Sequence, residues 1–152
     1  MARKPKALQY YEAVGRRKSA RARVRLYLVE GKEKVANIAG LKIKQGEIFI
    51  NKKPIEVVFS KEENKVRYLR PLALTESVNR FAISALIKGG GRSGWLDAFI
   101  HGLSRALEKT DREGMRPILK KEGYLTRDPR VKERRKVGTG GKARRKKQSP
   151  KR

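Results

Sequence analysis

Residues 126–152, TRDPRVKERRKVGTGGKARRKKQSPKR, hold 13 Lys or Arg against two acids, and Val131 and Val137 are their only bulky aliphatic side chains. Such a segment buries too little apolar surface to offset the entropy of ordering its backbone. Any folded body must therefore come from residues 1–125. The remainder is expected to be a disordered basic arm that takes a shape on a polyanion.

The placement of charge sharpens this division. Of the net charge of +26, residues 1–25 supply +8 (nine basic, one acidic) and residues 126–152 supply +11. The 100 residues between them carry 19 basic and 12 acidic groups, or +7. Self-repulsion on that scale calls for a stable anionic partner. RNA or DNA is the first expectation and an anionic membrane the weaker rival. With no cysteine there are no disulfides, thiolate metal sites or thiol nucleophiles, which fits a reducing compartment without requiring one. Apolar runs fall far below the roughly 20 residues that span a bilayer, and no signal-type stretch follows MARKPKALQ. A cytoplasmic protein is expected.

Within the body, residues 21–29, RARVRLYLV, alternate with period two. Ala22, Val24, Leu26 and Leu28 point to one side, and Arg21, Arg23, Arg25 and Tyr27 to the other, a strand with an apolar inner face and a cationic outer one. That outer face could be a solvated strand surface or a phosphate-binding one. The adjoining GRRKS, with Arg16, Arg17 and Lys18, favours phosphate. Residues 30–46 are charged and glycine-punctuated, and read either as a ribbon or as an inserted loop.

Further along, EIFIN at 47–51 predicts a short strand. Pro54 suits the first turn of a helix running to Phe59, and a second helix over 62–70 should end at Pro71. FAISALIK at 81–88 is apolar on both faces, as a central strand covered by helices would be. Trp95, Phe99, Leu103 and Leu107 recur near every fourth residue, predicting a helix over 93–109 with Ser93 as N-cap. Residues 114–122 suit one more short helix. The expected fold class is α+β, about four strands in a sheet and three or four helices.

Glycine-rich GGGRSG at 89–94 fits G-x-G-x-x-G between strand and helix. A dinucleotide site also needs a further strand and a suitably placed acid within repeated βαβ units, and none follows, so no nucleotide cofactor is expected. Two readings stay open: a backbone phosphate held at the helix start beside Arg92, or a tight turn that needs glycine. His101 is the sole histidine and cannot assemble a metal site unaided. It reads as a surface or half-buried helix residue, and Trp95 as core. No Walker A lysine motif, G-x-S-x-G elbow or calcium loop is present, and no catalytic residue, metal, cofactor or small-molecule substrate is expected.

In order and spacing, GRRKSARARVRL, IFINKKP, KGGGRSGWLDAFIHGLSRALEK, GYLTRDPRVKERRKVG and the terminal KR resemble the universal small-subunit ribosomal protein nine family, bacterial type, over nearly the whole chain from Tyr10. The resemblance implies the sandwich of ribosomal protein five domain two, with helices on one face of the sheet. It implies a non-enzymatic constituent of the small-subunit head that binds 16S-type rRNA, beside neighbouring head proteins, on a bacterial or organellar ribosome; with no Arg/Ser-rich amphipathic presequence evident, a cytoplasmic ribosome is expected and an organellar one is the weaker alternative. The arm would thread through RNA toward peptidyl-site tRNA. Carried onto this chain, Arg144 and Arg145 become rRNA contacts, and the cationic strand face, glycine turn and arm read above add Arg16, Arg17, Lys18, Arg21, Arg23, Arg25, Arg92, Arg130, Arg134, Arg135 and Lys136 as expected ones. The tRNA contacts fall to Lys151 and Arg152. Three features depart from the family pattern: Trp95 stands for the usual Gln, Ser149-Pro150 for the usual aromatic-Ser, and residues 30–46 form a longer stretch. A DNA-compacting protein and an RNA-processing enzyme or its protein cofactor are the rival classes.

Overall fold

The computed structural model describes residues 9–29, 35–38, 40–135 and 137. Strands β1 (Tyr10–Arg17) and β2 (Ala20–Leu28) pair antiparallel across the two-residue turn Lys18-Ser19, where Lys18 adopts a left-handed φ of 50°. A positive φ at the first turn position lets a two-residue loop follow the natural twist of the strands. Ala20, Ala22, Val24 and Leu26 are buried on one side of β2 and Arg21 and Arg23 are exposed on the other, as the alternation predicts.

The main sheet has five strands in the order β1-β2-β7-β5-β6, one more than the expected four. β7 (Phe81–Lys88) lies at its centre, antiparallel to β2 and parallel to β5 (Ile48–Ile50), while β6 (Lys53–Pro54) adds a two-residue edge. β1 escapes period-two reading because its inward positions are Tyr11, Ala13, Gly15 and Arg17, which offer little apolar signature.

Helices cover one face of this sheet. α3 (Arg92–Thr110) packs on β1 and β2, and buries Leu96, Phe99, Leu103 and Leu107 against Val24, Leu26 and Ile83. α1 (Ile55–Val58) follows Pro54, which occupies the N-cap position. α2 (Glu62–Leu74) and α4 (Arg112–Lys121) pack against α3.

Two expected helix boundaries are corrected. Pro71 does not end α2, which continues to Leu74, because Tyr68, Pro71 and Leu72 form one buried face at i, i+3, i+4 and the Thr75 hydroxyl donates to the Pro71 carbonyl at 2.9 Å. Ser93 is not the N-cap of α3: it sits within the first turn and Gly91 occupies the cap. At α4 the Asp111 carboxylate caps the helix, accepting from the Gly114 N–H at 3.0 Å.

The stretch at 30–46 resolves toward a ribbon. β3 (Val35–Ile38) and β4 (Leu41–Lys44) form a separate antiparallel pair. Its buried Ala36 and Ile43 meet Tyr27 and Ala82 on the face of the main sheet opposite the helices. The ribbon therefore covers one end of the outer face and leaves the other end open.

Candidate nucleic-acid interface

Register places the cations of the open end. Directly opposed residues of antiparallel strands share a face, so Arg16, Arg21 and Lys88 form one row across β1, β2 and β7. Val14, Arg23 and Leu86 form the next row, then Glu12, Arg25 and Ser84, to which parallel β5 adds Phe49. Arg16, Arg21, Arg23 and Lys88 are exposed and make no ion pair to a described acid. Arg25 is committed: its Nε donates to Glu12 Oε2 at 2.6 Å and its guanidinium lies 4.8 Å over the Tyr10 ring. The Glu12 hydrogen bond outweighs partial burial and raises the Arg25 pKa, so its charge is fixed.

Arg17 departs from the expected cationic face. Its partner in register is Ala20, which turns it toward the helix side, and the side chain keeps only 13% of its exposure. All three guanidinium nitrogens are occupied, Nε by Asp97 at 3.5 Å, Nη2 by Asp128 at 3.1 Å and Nη1 by the Arg130 carbonyl at 2.6 Å. Asp128 is in turn gripped by Arg130, whose Nη2 lies 2.7 Å from Oδ2. That hydrogen bond, with the Arg130 backbone N–H and the charge of Arg17, holds the Asp128 carboxyl far below the usual carboxylate range. Arg17 thus ties the segment after α4 to the body. No periodicity in GRRKS distinguishes Arg16 from Arg17; the strand register alone does.

The glycine turn is shaped by packing. Gly89 and Gly90 take φ of 72° and 71°, and a Cβ would lie 2.6 Å from the Ser19 carbonyl oxygen and 2.9 Å from Ala20 Cβ respectively. Both glycines are demanded by the approach of the β1–β2 turn. Trp95 is half-buried against the core and its indole N–H donates to the Gly89 carbonyl at 2.6 Å, clamping the turn. Around Gly91 space is open, and Lys18, Lys88 and Arg92 are exposed in the segments meeting there.

His101 is half-buried, as its place on the helix suggested, and it has a structural partner that sequence could not reveal. Its Nδ1 accepts from the Arg16 backbone N–H at 3.4 Å, and Arg105 and Lys109 donate to the Val14 and Glu12 carbonyls at 2.6 and 2.8 Å. α3 therefore occupies backbone groups of β1 that an edge strand would otherwise offer to another chain. Burial, then the charge of Arg105, push the His101 pKa down.

Along the segment after α4, Arg130 is exposed and paired as described, while Arg134 and Arg135 are exposed in backbone of no regular secondary structure. Lys136, Arg144, Arg145, Lys151 and Arg152 lie outside the described residues. Among the described residues no helix is long and apolar enough to cross a membrane. Compared with known protein families, the chain matches the family described as ribosomal protein S9/S16 over residues 15–152.

Proposed function

From the premise that this chain belongs to the ribosomal protein S9/S16 family, structural constituents of the small ribosomal subunit that bind ribosomal RNA and are not enzymes, we propose how its surface is divided between RNA and itself. The outer face of the sheet, with Arg16, Arg21 and Arg23, meets 16S-type rRNA together with Lys18 and Arg92 at the adjoining turns. Arg17, Arg25 and Arg130 hold the shape that presents these contacts. The observation that carries the reading is the row Arg16, Arg21 and Lys88, three exposed cations abreast with no ion pair to a described acid. Contacts of this kind go chiefly to phosphate, and A-form RNA is read largely through shape and backbone.

Residues 126–152 then act as the basic arm, anchored to the body at Asp128 and Arg130 by Arg17 and, beyond that anchor, taking its shape on rRNA. Arg134, Arg135, Lys136, Arg144 and Arg145 neutralise phosphates, and Lys151 and Arg152 reach peptidyl-site tRNA. Neighbouring head proteins complete the surroundings, and the assembled particle places the chain in the cytoplasm.

Salt titration of binding to a small-subunit head transcript tests this division. If the arm meets about eight phosphates, deleting residues 126–152 flattens the dependence of log K on log salt by roughly 5 to 7, at a slope of about 0.7 to 0.9 per contact. An unchanged slope removes the arm from the RNA. Equal affinity for duplex DNA or precursor tRNA would favour the rival classes. Removing Lys151 and Arg152 alone should leave subunit assembly intact and weaken peptidyl-site tRNA retention on filters; equal retention refutes the tRNA role.

A further inference from the structure

Beside the cation row lies a groove that phosphate binding does not explain. The outer face of β7 and β5 forms its floor and the β3–β4 ribbon its wall, enclosing about 160 Å³. Leu86, Phe49 and Leu41 supply apolar surface, and Arg23 and Lys52 stand at the rim. Leu86 is 41% exposed at the centre of the sheet, between neighbours that are otherwise cationic or small. With Phe49 and Leu41 it makes a contiguous apolar surface rimmed by polar and cationic groups, the kind of patch that marks a binding groove.

Polar groups in the groove divide clearly. The Asn51 amide is spent, donating to the Ile87 carbonyl at 3.0 Å and accepting the Ile87 N–H at 2.9 Å, which extends the sheet beyond the end of β5. Arg25 is held by Glu12. Arg23 and Lys52 are exposed without an ion pair to a described acid, and Ser84 lines the floor between Arg25 and Phe49. Glu12, the acid in the Arg25 row, is neutralised by Arg25, so the rim of Arg23 and Lys52 is complementary to an anion that carries a flat apolar group.

We propose that this groove takes one unpaired nucleotide of an RNA strand, its base lying on Leu86 and Phe49 and its flanking phosphates on Arg23 and Lys52. The inference rests on the RNA-binding reading above and adds to it a contact that a duplex cannot make, because paired bases stay in the stack. Base faces stack on an aromatic ring such as Phe49 without sequence preference, Leu86 adds apolar contact beside it, and the cationic rim tracks the backbone.

The test uses the full-length protein and a seven-residue ribonucleotide with 2-aminopurine at its centre, single-stranded or annealed to its complement. Ser84→Leu fills the groove without altering charge, and Leu86→Ala removes the floor at a position too exposed to threaten folding. Binding of the single strand to the unaltered protein should change the 2-aminopurine emission, and binding of the duplex should not. Ser84→Leu and Leu86→Ala should abolish that change and weaken single-strand binding about tenfold, with the salt slope intact. Arg23→Gln should lower the slope by about 0.7. If both groove variants bind the single strand with unaltered affinity and emission while salt-dependent binding persists, the groove proposal is overturned and the RNA reading stands. Absence of salt-dependent binding to either form by the unaltered protein would overturn both.

Discussion

At the scale of single residues, the tightest of the described glycine sites has no charge in it. A Cβ on Gly15 would lie 2.0 Å from the Ala98 carbonyl oxygen and 2.3 Å from the Gly102 nitrogen, so β1 meets α3 backbone to backbone. Helix and strand cannot both yield, and Gly15→Ala should destabilise by about 3 kcal/mol, the upper end of overpacking costs. Urea unfolding checks this: the midpoint should fall with the m-value unchanged. A second residue-scale prediction concerns His101. Neutral imidazole accepts from the Arg16 N–H and bonds the Leu125 backbone, whereas the protonated form loses its acceptor. Its folded pKa lies below the ordinary 6.5, so below that pH the unfolded chain binds more protons and stability rises with pH. His101's contribution is complete above about pH 6.5 and erodes as pH falls through the window beneath it. His101→Gln, which keeps one donor and one acceptor, should flatten the decline in urea midpoint between pH 7 and pH 5. A parallel decline in both proteins would place its origin elsewhere.

Between elements, the contact with the most functional weight joins the turn end of β1 to the segment after α4. Tyr124 and Leu125 pack on the core, and Arg17 then grips Asp128 and the Arg130 carbonyl. Exposed ion pairs contribute little singly, but this one is a fork on a mostly buried guanidinium and it fixes where the basic segment leaves the body. Asp128→Asn should speed amide exchange over residues 126–130 and tryptic cleavage after Arg127, with exchange in β2 and β7 unaltered. Identical exchange in that segment would mean that Tyr124 and Leu125 suffice to hold it. This junction also marks the limit of what sequence discloses. Alternation exposed β2, near-fourfold spacing exposed α3, and the apolar run exposed β7, because each buries enough side chain to leave a period. β1 left none, since its packing is made by Ala13 and Gly15, residues chosen for absence of bulk. Arg17 and Arg16 are chemically identical in the sequence, and only pairing with Ala20 and Arg21 sends one inward and the other outward. The glycine run was legible as a turn between strand and helix. That Ser19 and Ala20 press on it was not, because they lie some 70 residues away in sequence.

For the whole molecule, the question is whether its charge helps or harms it in isolation. Four acids of the body are spent locally: Glu12 on Arg25, Asp97 on Arg17 and Arg67, Glu108 on Arg116, Glu122 on Arg70. These pairs are short-range, and most are exposed enough that each is worth about 0 to 1 kcal/mol. The uncompensated remainder, +26 over the chain, acts at longer range and opposes compaction. Added salt weakens both, but it screens the long-range term more completely, since the Debye length falls from about 30 Å at 0.01 M to about 10 Å at 0.1 M. Repulsion should therefore win, and raising sodium chloride from 20 to 300 mM should raise the thermal midpoint by about 5 °C, equivalent to about 1 kcal/mol for a body of this size. Chloride avoids the surface exclusion by which sulfate stabilises any fold. The same titration on a chain lacking residues 126–152 apportions the effect. A smaller rise there would show that the arm's charge bears on the body when no RNA is bound. A midpoint that falls with salt would mean that the ion pairs, Arg17 with Asp128 among them, matter more to the isolated fold than the repulsion RNA is proposed to relieve.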